Sequence, residues 1–119
     1  MSPSPNWYLD QAATYYARAD ECRRLARELD LSPLPDLLAR AGADTWQSPA
    51  AEEFREQVLI SQGQILDAIA DLETNAYGLT NDGDDMTREA AAEVERRRQA
   101  AAAAESERRE RVREALAAD

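Results

Sequence analysis

Asp44-Thr45-Trp46-Gln47-Ser48-Pro49-Ala50-Ala51-Glu52-Glu53-Phe54 runs from a polar connection into the start of a helix. Ser48 is a strong N-cap, because its hydroxyl accepts from a free backbone N–H of the first turn. Pro49 then takes the first helical position, where its missing N–H is no loss and its fixed φ suits the helix. Glu52 and Glu53 set negative charge near the positive end of the helix dipole. Upstream, Ala41-Gly42 reads as a helix end, since glycine there can turn left-handed without a Cβ clash. A connection from Gly42 to Ser48 is of ordinary length between antiparallel helices. The stretch is therefore the tip of a helical hairpin, and it carries Trp46.

On the N-terminal side, a helix is expected from near Ser4 to Asn6 up to about Asp30. Tyr8, Ala12, Tyr15, Ala19, Cys22, Ala26 and Leu29 repeat at spacing 4-3-4-3-4-3, a heptad-like stripe on one face. Trp7, Tyr16 and Leu25 widen it, while Arg24 and Glu28 are placed to pair across one turn. Alanine at several stripe positions lets a partner helix approach closely but buries little area. Leu31-Ser32-Pro33-Leu34-Pro35 then interrupts the helix, since the residue before each proline is pushed out of the α region. A short helix from Pro33 or Pro35 to Ala41 is expected to fold Leu34, Leu37 and Leu38 back onto the hairpin.

On the C-terminal side, the second long helix is expected from Pro49 to about Tyr77. Phe54, Val58, Ser61, Ile65, Ala68, Leu72 and Leu79 form one stripe, interrupted at Asn75. Leu59, Leu66, Ile69 and Ala76 form another beside it. One helix needs only one narrow seam, so the other stripe calls for a further partner. Two helices also make a thin core, and small scaffolds without disulfide or metal commonly reach stability by oligomerising. Burying three or four more leucine-sized side chains contributes roughly 5–10 kcal/mol before entropy losses. The expected state is thus a dimer, with Trp46, Phe54, Val58, Leu59, Ile65, Leu66, Ile69 and Leu72 as its interface. Gly78 to Asp85 reads as a polar loop, with a turn and helix cap at Gly83. From about Asp84 an alanine, glutamate and arginine run has strong helix propensity and few apolar residues. The division is a hairpin over 1–83 and a charged helix over 84–119, weakly docked or partly disordered.

Composition narrows the function. The chain has 119 residues, one domain's worth, with net charge −10 and pI about 4.5, which argues against nucleic acid and anionic membrane as partners. Every positive residue is arginine, a bias typical of GC-rich bacterial coding. Histidine is absent, so the commonest general base and metal ligand is missing. Cys22 is the only cysteine, which rules out an intrachain disulfide or a cysteine metal cluster. An acidic calcium loop around Gly83 fails, because Gly78 and Thr80 would stand where carboxylates are needed. Glu52, Glu53 and Glu56 are explained by the helix dipole, and Arg96-Arg97-Arg98 is interleaved with glutamates as a solvated face. No nucleophile–base pair or phosphate loop is present, so catalytic residues, cofactors and metals are all expected to be absent. No apolar run is long enough for a membrane span, and Met1-Ser2-Pro3-Ser4-Pro5 lacks the basic and apolar regions of a signal peptide. The chain is expected in the cytoplasm, or exported by a route that reads something else.

Trp46-Gln47-Ser48 between two long helices, followed by Pro49-Ala50-Ala51 and Phe54, resembles the WXG (Esx-like) family of type VII secretion substrates and partners. The resemblance covers roughly residues 6 to 80, with Ser48 in place of the family's glycine. It implies an all-α antiparallel hairpin with Trp46 and Ser48 in the turn. Two such hairpins would form a four-helix bundle, as a heterodimer with a second WXG-type protein or as a homodimer. It also implies export by an ATPase-driven membrane machine in actinobacteria and firmicutes. The family's export signal, Tyr-x-x-x-Asp/Glu after the second helix, is imperfect here: Tyr77 is followed at that spacing by Asn81, with Asp82 one residue late. Tyr16 and Asp20 have the spacing but stand in the middle of a helix. The chain would then travel on a partner's signal or remain inside as a chaperone-like partner. A different class of function is a cytoplasmic coiled-coil scaffold or regulator assembling through the C-terminal helix. Deleting Asp84 to Asp119 abolishes assembly on that reading and spares it on the first.

Overall fold

The computed structural model describes residues 2–31, 33, 36 and 48–118. Among these, two long helices make up the protein, α1 (Pro5–Asp30) and α2 (Pro49–Ala117), and no strand is present. The expected short helix before Ala41 and the turn holding Trp46 lie outside the described residues, apart from Pro33, Asp36 and Ser48.

Both helices begin on the same device. The Ser4 hydroxyl accepts from the Trp7 N–H at 3.1 Å, and the Ser48 hydroxyl accepts from the Ala51 N–H at 3.0 Å. The Ser4 and Ser48 carbonyls take the next amides, Tyr8 and Glu52. Pro5 and Pro49 each follow their cap at the first helical position. The start of α1 and the start of α2 thus fall where the sequence places them.

The chain divides into two compact units. In the unit Tyr15–Asn81, the C-terminal half of α1 runs antiparallel to α2. An Arg23 guanidinium N–H donates to the Thr80 hydroxyl at 2.7 Å, while Asp30, further along α1, shares a groove with Glu73, further back on α2. Ala19, Ala26, Ala51, Val58 and Ala76 are buried in this unit. In the unit Met1–Thr14 with Asp82–Asp119, Ala12, Gly83, Ala90 and Glu93 are buried. Tyr8 there lies close enough to Arg96 to interact with its charge.

The covered side of α1 is the heptad stripe: Tyr8, Ala12, Tyr15, Ala19, Cys22, Ala26 and Leu29 are all buried or half-buried. Trp7 and Leu25, which widen that stripe in the sequence, are exposed instead. Trp7 packs edge-on against Tyr8, with ring centroids 5.2 Å apart. The seam is small throughout, and no large side chain is fully buried among the described residues. An alanine methyl contributes on the order of 0.8 kcal/mol on burial, against about 1.5–3 kcal/mol for a leucine. Close approach is gained and buried area is given up.

The structure corrects the expected loop. Gly78 to Asp85 is helical, and α2 ends at Ala117 instead of near Tyr77. No described glycine has positive φ, so neither a turn nor a cap forms at Gly83. Glycine, asparagine and aspartate weaken helix propensity here, but tertiary context overrides so weak a preference. Ala76 and Gly83 are buried, and Thr80 is held by Arg23. The Thr80 and Thr87 hydroxyls turn back onto the Ala76 and Gly83 carbonyls at 2.9 and 3.0 Å, keeping their polar groups within the helix. Beyond Arg96, Glu105 is the one described residue that is not exposed, so the last part of α2 is solvated on nearly every side.

A Cβ added at Gly78 meets nothing within 4 Å, so Gly78→Ala is expected to raise stability by about 0.5–1 kcal/mol in urea unfolding followed by circular dichroism. A loss of stability would instead favour a turn there. Ser48→Ala removes the cap of α2 and is expected to lower stability by about 0.5–2 kcal/mol in the same assay.

Candidate interaction surface

The residues read as an interface divide into two sets on α2. Val58 is buried, and Ile65, Ile69 and Leu72 are half-buried; they face the packed interior. Leu59 and Leu66 stand out, 54% and 57% exposed. Phe54 is 39% exposed at the start of α2. Ser48 serves as the cap already described, and Trp46 lies outside the described residues. Tyr77 and Asn81 are exposed and sit inside α2, not in a tail after it.

A third pattern appears once exposure is known. Leu59, Gly63, Leu66, Ala70, Glu73 and Tyr77 follow spacing 4-3-4-3-4 and are all exposed. At 3.6 residues per turn they occupy a sector about 80° wide. It adjoins the side that holds Val58, Ile65 and Ala76. The spacing was open to reading in the sequence, but Gly63 and Ala70 carry too little hydrophobic signal to mark it. A glycine in a helix interior costs about 1 kcal/mol relative to alanine, and a Cβ at Gly63 meets nothing within 4 Å. Nothing in its own surroundings requires that glycine to be small.

Next to Tyr77 is an open groove of about 490 Å³, lined by Arg23, Ala26, Arg27, Asp30, Ile69, Glu73, Ala76 and Tyr77. Its charged residues are of both signs, and all four are exposed. Among the described residues, no three metal-ligating side chains gather at one point. No helix there is long and apolar enough to cross a membrane.

The strongest electrostatic feature is in the other unit. The Glu93 side chain is only 6% exposed. It accepts from Arg96 at 2.7 and 2.9 Å and from Arg97 at 3.0 Å. The hydrogen bond from Arg96, then that from Arg97, holds its carboxyl below the usual glutamate range despite desolvation. Arg96 is correspondingly held above its ordinary value, first by Glu93. The sequence marks the Glu93–Arg97 spacing, but not that Glu93 is buried and shared with Arg96. Arg24 with Glu28 at 2.6 Å and Arg109 with Glu105 at 3.3 Å also form, at exposed positions where such pairs contribute little.

No family model, curated protein or solved structure matches the chain.

Because the Glu93 pKa is lowered on folding, its contribution is complete above the unfolded value near 4.5 and is lost as pH falls through the lower folded value. Glu93→Gln is expected to lower the thermal midpoint at pH 7 and to flatten its decline below about pH 4.5. An unchanged acid limb in the variant would show that Glu93 is not the group titrating.

Proposed function

We propose that this chain is a noncatalytic, Esx-like helical-hairpin protein. It joins a second hairpin in a four-helix bundle and serves type VII secretion as a substrate or as the partner of one. The observation that carries the reading is the exposure of Leu59 and Leu66 on the helix that starts at Ser48-Pro49. Two leucines more than half exposed at heptad spacing, beside a side already packed, mark a surface to be covered. The antiparallel run of α1 and α2 and the Ser48 cap directly after Trp46-Gln47 support the same reading.

The continuity of α2 affects how such a protein would be exported. Tyr77 and Asn81 lie within a helix that goes on to Ala117, so the imperfect signal is not displayed in a tail. That favours a role as the partner whose companion carries the signal. The alternative, a coiled-coil scaffold working through the end of α2, draws on the solvated stretch after Arg97.

Sedimentation velocity at micromolar concentration, with a second small Trp-x-Gly hairpin protein sought among the adjacent genes, is expected to show a complex of two chains. Leu59→Asp with Leu66→Asp should leave the helix content unchanged and weaken the complex at least tenfold. Removing Arg98 to Asp119 should change it little. Assembly lost on that truncation, yet intact in the double aspartate variant, would favour the scaffold.

A further inference from the structure

The charges around the exposed stripe decide what kind of helix can cover it. Between Glu52 and Tyr77 the sequence holds six carboxylates and one cation, Arg55. At 100° per residue, Glu53, Glu56, Asp67 and Asp71 all fall on the outer flank of the Leu59–Tyr77 stripe, within about 120° of its centre. All four are exposed. Arg55 falls on the opposite flank, toward the packed side, and is half-buried. An acidic rim with no basic residue therefore borders one side of a ridge of leucines, small residues, Glu73 and a tyrosine. Arg55 and the groove residues Arg23 and Arg27 stand on the other.

From this rim we infer that the stripe receives a helix whose own apolar ridge sets basic side chains against the rim, and that the rim rejects a second copy of this chain laid antiparallel. The inference rests on the proposed hairpin assembly and adds the chemistry of the partner. Two copies meeting antiparallel through the stripe would set the carboxylates of one rim against those of the other, because like flanks face each other in that pairing. Like charges brought together at an interface suppress that partner, while opposite charges speed encounter and fix register. Gly63 and Ala70 between Leu59, Leu66 and Tyr77 leave room for large side chains of the incoming ridge.

Two fluorescein-labelled 28-residue helical peptides serve as probes, both with leucine at positions a and d. One carries arginine at e and g, the other glutamate. Binding to the full chain is read by fluorescence anisotropy in 50 and 500 mM NaCl. The arginine probe is expected to bind at least tenfold more tightly than its glutamate twin at low salt, with the difference shrinking at high salt. Leu59→Asp with Leu66→Asp should abolish that binding; attraction to acidic surface alone would be kept or strengthened by the added carboxylates, and that result would overturn the inference. Asp67→Arg with Asp71→Arg should shift the preference toward the glutamate twin. Equal binding of the two probes, tighter binding of the glutamate twin, or binding of neither would also overturn it. So would an antiparallel self-dimer of the unmodified chain at micromolar concentration in 50 mM NaCl that the double aspartate variant abolishes. These outcomes leave the proposed function standing if the two-chain complex with a second hairpin protein still forms.

Discussion

Close approach through small side chains is the constraint on which this protein depends. Among the described residues, Ala12, Ala19, Ala26, Ala76 and Ala90 supply most of the buried apolar positions, and Val58 is the largest of them. Alanine gives up little side-chain entropy on burial and favours the helix strongly. It also returns little hydrophobic free energy, because there is only one methyl to remove from water. The result is a pair of well-formed helices with a thin interior. Among the described residues, helix capping and exposed ion pairs of modest worth add to that small buried area.

The capping and the periodicity were legible in the sequence. Ser48-Pro49 announces the start of α2, because the chemistry that satisfies the first amides is local. Ser4-Pro5 does the same at α1, where the start was legible only approximately. The Tyr8 to Leu29 stripe was legible for the same kind of reason: a heptad repeat fixes one side of a helix regardless of what lies against it. The path of α2 through Gly78 to Asp85 was not. Glycine, asparagine and aspartate speak for a turn at short range, and only the long-range contact of Arg23 with Thr80 and the burial of Gly83 say otherwise. The exposed stripe was half legible, since Leu59 and Leu66 stand out but Gly63 and Ala70 do not. The burial of Glu93 had no signal at all, because an i,i+4 pair looks the same on a wet face and a covered one.

The two sides of α2 then divide the work. One packs small residues against α1 within each compact unit. The other holds apolar residues in water beside a row of carboxylates. On the proposed reading, glutamate and aspartate at that rim oppose the antiparallel approach of two copies, since like charges then face each other. In this account the same charges choose the partner. Glu93 with Arg96 and Arg97 serves a separate end: it satisfies a covered carboxylate on the Ala90 side of α2, where an unpaired one would be costly.

Whether α2 is one helix is the point on which the fold turns, because a break near Gly78 would put Tyr77 and Asn81 at a helix end and take Gly83, Ala90 and Glu93 out of register with Ala76. Amide hydrogen exchange across residues 70–93 tests it most directly. Continuous helix is expected to give the Gly78 to Asp85 amides protection comparable to that of Ala68 to Ala76. Exchange at unstructured rates from Gly78 to Asp85, flanked by protected amides on both sides, would contradict the account.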